Sequence, residues 1–147
     1  MTAQAAKFSL PLREVDVLVN NKTMEPGVLD QGSQIVVIQA DLARDIGVVI
    51  NKEQQLKMEG ANSSTSWTIG CAKNLPMRIG DVDFQVHAHI VETAPFRLLL
   101  GRPFHHHLRC RLEDHPDRRV DISIHDPTNP ARSIQVPSNH ATSRWDS

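Results

Sequence analysis

Asp30 is the residue whose type and setting most demand chemistry. It lies in Val28-Leu29-Asp30-Gln31-Gly32-Ser33, and the apolar run Ile35-Val36-Val37-Ile38 follows closely. A carboxylate between two strand-like apolar runs sits at or near a buried layer. Burying a carboxylate costs free energy unless it is paired or hydrogen-bonded. Asp and Gly also favour turns, so Asp30 is either an ordinary turn residue or a carboxylate held for proton transfer.

The other chemistry-bearing groups are weaker. His105, His106 and His107 are adjacent, and neighbours on a helix point about 100° apart, so they read as a solvated or partly packed run. His87 and His89 share one face of a strand, a better arrangement for a metal. With no acid or cysteine evident beside them, an exposed polar face is expected and no metal ligand is assigned. Cys71 and Cys110 fit no metal or redox spacing, and are expected to be reduced, half-buried thiols of an intracellular protein. Gly-x-Ser-x-Gly is absent, so Ser33 is not a hydrolase nucleophile elbow. Arg109, Arg111, Arg118 and Arg119 are interleaved with Glu113, Asp114 and Asp117, which describes a solvated face.

The chain has 147 residues and a formal net charge of −1. That length suits one domain with a core of its own. There is no basic face with interleaved aromatics, so no nucleic-acid partner is expected. No apolar run approaches the roughly 18 residues of a membrane span, and Met1–Leu10 lacks a leader-like apolar stretch. An intracellular location, cytoplasmic or nuclear, follows as an expectation, with no cofactor.

The elements that must position Asp30 are short. Residues 1–13 read as a flexible arm. Val15, Val17 and Val19 alternate with polar or outward residues, Asn20-Asn21-Lys22 turns, and a return strand delivers Asp30 at its end. Residues 40–47 form a short helix, with Leu42 and Ile46 on one face and Gly47 closing it. Leu56 and Met58 lead into Gly60-Ala61-Asn62-Ser63-Ser64, and Thr65, Trp67 and Ile69 lead out: a hairpin with a small, polar tip. Trp67 there either meets a ligand or packs on the barrel. Leu75–Ile79 and Phe84–Ile90 give two more strands. Phe96–Leu100 then runs into Gly101-Arg102-Pro103-Phe104, followed by a short helix through His105–Leu108. Residues 109–137 read as an added hairpin or three-stranded meander, and 138–147 as a disordered tail. Eight or nine short strands with one or two short helices predict an all-β, barrel-like domain.

Taken in order, the Asp-x-Gly-Ser turn, the short helix, the hairpin with a small tip and Leu99-Leu100-Gly101-Arg102 resemble a retropepsin. About 70 residues separate Asp30 from Gly101, and the resemblance spans residues 14–108. It is similar in particular to the aspartic protease domains of long-terminal-repeat retrotransposons of fungal type, or a domesticated copy. The resemblance implies a closed acid-protease β-barrel that acts as a symmetric homodimer on a peptide or polyprotein. It makes Asp30 catalytic, with Gln31, Gly32 and Ser33 as the active-site loop. Met58, Gly60, Ala61, Asn62 and Ser63 become the flap, and Leu99, Leu100, Gly101 and Arg102 the support behind the loop. Two departures stand out: Gln31 occupies the place of the usual Thr or Ser, and Gln34 the place of an aspartate that often pairs with the arginine. Arg102 is therefore expected to bond Gln34 or another acid. An inactive dimerisation or peptide-binding module on the same fold is the alternative, and a metal-binding β domain using His87 and His89 a third.

Overall fold

The computed structural model describes residues 10–59 and 65–141. Its centre is a six-stranded barrel. β1 (Arg13–Val19) and β2 (Thr23–Leu29) form an antiparallel hairpin, and β3 (Val36–Gln39) leads into α1 (Ala40–Ile46). β4 (Lys57–Glu59) and β5 (Thr65–Trp67) pair as a separate hairpin. β6 (Gly70–Ile79) and β7 (Val82–Val91) form a long antiparallel pair, and β8 (Leu98–Leu100) precedes α2 (Arg102–His107). The order β1-β2-β8-β3-β7-β6 closes through pairing of β1 with β6, so the barrel has few open edges to protect.

Alternation explains the strands. Val15, Val17 and Val19 are buried while Asp16 is exposed, as period-two patterning requires. β3 and β8 lie inside the sheet order and read as nearly continuous apolar runs. α1 is too short to persist alone. It buries Leu42, Ala43 and Ile46 against the sheet, and Gly47 ends it in the left-handed conformation at φ 64°. The Asn20 side-chain amide donates to the free Ile46 carbonyl at 2.8 Å, tying the first hairpin turn to the helix end.

The chain beyond the barrel is ordered into β9 (Arg111–Asp114), β10 (Val120–Asp126) and β11 (Asn129–Val136), a three-stranded sheet. Ile122 and Ile124 on β10 are fully buried and join the main core with Phe104 and Leu108. An Arg132–Asp81 ion pair fastens β11 to the β6–β7 turn.

Four expectations need correction. Residues 138–147 are not a tail from their first residue: β12 (Asn139–His140) pairs with Arg13 and Glu14, and Ala141 is buried. The same pairing anchors the end of the expected arm, where the Ala141 amide donates to Leu12 and Arg13 bonds Ser138. β12 covers the stretch of β1 that β6 leaves open. The second helix starts at Arg102 rather than His105, because Pro103 suits a first helical turn and Gly101 supplies the extended residue before it. Among the described residues twelve strands replace eight or nine, since several are only two to four residues long. Residues 1–9 and 142–147, with the remainder of the arm and tail readings, lie outside the described residues.

Candidate active site

β2 and β8 run parallel and end side by side, with Val28 opposite Leu99 and Leu29 opposite Leu100. Two sequence motifs 71 residues apart, at Asp30 and Gly101, therefore leave the barrel at one point. The Asp30 amide donates to the Leu100 carbonyl at 3.0 Å, continuing the ladder one residue past the strand. The Ser33 amide then donates back to the Asp30 carbonyl at 3.2 Å, closing a turn, and the Arg102 amide donates to the Ser33 carbonyl at 2.7 Å. Backbone hydrogen bonds thus fasten the loop from behind.

Gly101 is required there by space. A Cβ at this position would fall on the Ile35 carbonyl oxygen and lie 2.7 Å from the Ser33 carbonyl oxygen. Gly32 is exposed, and its amide donates to Asp30 Oδ1 at 2.9 Å, orienting the carboxylate within its own loop. Asp30 itself is half-buried. No other side chain among the described residues bonds its carboxylate.

Asp30 lines a cleft of about 480 Å³. Its walls are Ile35, just before β3, and Val37 on it, Met58 and Trp67 from the β4–β5 hairpin, and Val91 through Phe96 with Leu99. The lining is chiefly apolar, with Glu92 as the other acid. The hairpin stands over a carboxylate floor, as a cover for an extended ligand would. Of the expected flap residues, Met58 lines the cleft, and Gly60, Ala61, Asn62 and Ser63 lie outside the described residues. Trp67, 62% exposed, faces the cleft rather than the core. Sequence reasoning missed Val91, Glu92 and Phe96 as walls. The apolar end of β7 and the aromatic residue before β8 were the available signal.

Of the residues that the resemblance makes the support, Leu100 is fully buried, Leu99 lines the cleft and Gly101 packs on the loop. Arg102 differs. Among the described residues neither Gln34 nor any carboxylate bonds its guanidinium, and both side chains are exposed. Gln31 is exposed too. The Ser33 hydroxyl donates to the Ile35 carbonyl at 2.9 Å and so is engaged within its own loop.

A buried carboxylate elsewhere in the barrel anchors a cluster of ion pairs. Glu25 on β2 is buried, and Arg97, just before β8, lies 3.1 Å from it while also meeting Asp41 at 3.4 Å and Asp45 at 2.7 Å. Burial pushes the Glu25 carboxyl up; Arg97 opposes this and Asp41 adds to it. One arginine thereby links β2, α1 and the approach to β8.

The histidines separate by position. His105 is buried, correcting its reading as part of a solvated or partly packed run, while His106 and His107 are exposed. His87 is exposed and its Nδ1 accepts from the Asn74 amide at 3.1 Å. Burial, then His87, lowers the pKa of half-buried His89. Among the described residues no group of three or more His, Cys, Asp or Glu side chains is placed to hold a metal. Nor is any helix long and apolar enough to cross a membrane.

This geometry, a single Asp-x-Gly-Ser loop on a closed β-barrel beneath a hairpin, is that of a retropepsin-like aspartic protease fold. The chain belongs to the Aspartyl protease family (Asp_protease_2), which it matches over residues 15–104. Its fold is similar to that of the retroviral protease-like domain of Ddi1 from Leishmania major, with a TM-score of 0.66 at 13% identity, covering 89% of this chain and 96% of that one. It is also similar to a retropepsin-like aspartic protease from Rickettsia conorii, with a TM-score of 0.50 at 16% identity, covering 68% and 75%. No curated protein matches the chain.

Proposed function

We propose that the chain is one half of a homodimeric aspartic endopeptidase in which two Asp30 carboxylates activate a water molecule. The observation that carries this is the setting of Asp30: half-buried at a strand end, lining an apolar cleft beneath a hairpin, on a loop fixed by Leu100, Gly101 and Arg102. The chain has one such loop, so a pair of acids requires a second subunit.

Two carboxylates a few ångströms apart do not both ionise readily, and they share a proton. The ionised member takes a proton from the water between them while the protonated member donates to the scissile carbonyl oxygen. The water oxygen bonds to the carbonyl carbon, giving a tetrahedral diol with no covalent enzyme intermediate. The pair titrates as a unit. A peptide lies extended in the cleft, with an apolar side chain against Ile35, Val37, Trp67 and Phe96, and the β4–β5 hairpin excludes water.

The substrate we infer is a polyprotein of a long-terminal-repeat retroelement, or the target of a domesticated copy. Support comes from the similarity of Leu99-Leu100-Gly101-Arg102-Pro103-Phe104 to such domains. The unpaired thiols Cys71 and Cys110 agree with an intracellular, reducing setting.

Peptide cleavage at acidic to neutral pH, abolished by Asp30→Asn and blocked by a statine-type inhibitor, tests the reading. A second reading has an observation of its own. With Gln31 in the hydroxyl position and Ser33 engaged with Ile35, the loop lacks the usual hydroxyl to bridge subunits, which favours a dimeric peptide-binding module. Peptide binding without cleavage would support that reading and overturn the first.

A further inference from the structure

We propose that His105 is a positioning residue for Asp30: its neutral imidazole holds the Leu100 carbonyl that also receives the Asp30 amide, so acidification loosens the active-site loop. For its effect on cleavage this rests on the protease reading above.

The Leu100 carbonyl oxygen has two partners: the Asp30 amide at 3.0 Å and His105 Nε2 at 3.1 Å. A carbonyl has two lone pairs and serves both. Because it only accepts, Nε2 carries the hydrogen and Nδ1 carries the lone pair. Nδ1 is buried and has no hydrogen-bond partner among the described residues. His105 is 3% exposed and packed edge-on against the Phe104 ring at 5.3 Å.

Protonating Nδ1 would place an N–H⁺ in this apolar setting with no acceptor, which is costly. The surrounding charges do not relieve it. After burial, the hydrogen bond to the Leu100 carbonyl favours a positive imidazole, Arg102 on the same helix opposes one, and Asp30 from the loop favours one. β3 and β8, on which α2 packs, carry no titratable side chain. The Cys110 amide donates to the His105 carbonyl at 2.9 Å, but burial holds its thiol at about 12, so it stays neutral. Burial dominates and keeps His105 below the ordinary imidazole range.

The sign follows. A histidine whose folded pKa is depressed is neutral in the native state while the unfolded chain takes up its proton, so stability falls as pH drops below about 6.5. The strain falls on the carbonyl that seats Asp30. The loop is firmest near neutral pH, and the acidic edge of the working range is set partly by His105.

The test pairs spectroscopy of the native chain with two variants. Imidazole ¹⁵N NMR should show the Nε2–H tautomer at His105 and titration below the ordinary range. His105→Gln keeps an amide donor for Leu100 without a titrating ring; it should retain kcat at neutral pH and move the acidic limb of kcat to lower pH. His105→Leu should lower kcat on the order of ten-fold with KM within about two-fold, and should speed hydrogen exchange at the Asp30 amide. An imidazole titrating in the ordinary range, or acidic limbs and pH–stability profiles that coincide for the parent and His105→Gln, would overturn the proposal. If the parent cleaves no peptide, the protease reading fails, and the tautomer, exchange and stability profile still decide the role of His105. If His105→Gln does not fold, NMR of the parent decides it.

Discussion

Gly101 packs so closely on Ile35 that a Cβ at position 101 would occupy the Ile35 carbonyl oxygen. Both contacting atoms are backbone, so the strain of Gly101→Ala cannot be relieved by a side-chain rotation. The substitution should cost about 3 kcal/mol, the upper end for overpacking. Thermal unfolding monitored by circular dichroism checks this, and peptide turnover should fall further than stability because the displaced residues carry Asp30.

Among the described residues Arg97 is the one cation that pairs with Glu25, Asp41 and Asp45. Arg97→Met should destabilise by about 2 kcal/mol at neutral pH, the cost of an uncompensated buried carboxylate discounted for the partial exposure of Arg97. The pH dependence has a definite sign. Burial holds the Glu25 carboxyl above its ordinary range, so the native state binds that proton more tightly than the unfolded chain. Its contribution to stability therefore becomes less favourable as pH rises through the carboxylate range, and Arg97 limits that loss. Without Arg97 the loss grows, so the gap between parent and variant should be widest near neutral pH and narrow in acid. Urea denaturation at several pH values measures it.

Trp67 lines the cleft and is 62% exposed. Binding of a statine-type peptide should bury it and shift its fluorescence to shorter wavelength. A Trp145→Phe background isolates the signal, because the chain has two tryptophans. Trp67→Ala should raise KM for peptides with large apolar side chains more than it lowers kcat, as loss of a wall contact made equally in ground and transition states would.

Burial raises the pKa of both thiols, that of Cys110 to about 12. The thiolate is the reactive form, so iodoacetamide at neutral pH should leave Cys71 and Cys110 largely unmodified in the native protein. Both should alkylate in denaturant. Rapid modification of Cys110 in the native state would show that α2 and β9 separate readily.

The parts of the site legible in the sequence are those written in local patterns. Asp30 stands out because apolar runs flank it, and Leu99-Leu100-Gly101 because an apolar run stops at a glycine. Adjacency of the two follows from parallel pairing of β2 with β8, which leaves no periodic trace. β12 was lost for a similar reason: Asn139 and His140 are polar and exposed, and only pairing with Arg13 and Glu14 makes them a strand. His105 was hidden inside a run of three histidines, where composition suggests solvent. Its burial comes from the angular offset of neighbours on α2, which turns His105 toward the core and His106 and His107 away. The Glu25–Arg97 contact joins residues 72 positions apart, a distance over which charge patterning in the sequence carries no signal.

The central claim is that catalysis needs one Asp30 from each of two subunits. Mixing equal amounts of parent and Asp30→Asn chains, with re-equilibration, tests it directly at constant total protein. If both carboxylates are required, random pairing leaves about a quarter of the activity of the same total amount of parent chain. Retention of about half would mean that each subunit cleaves with its own acid, and would contradict the account.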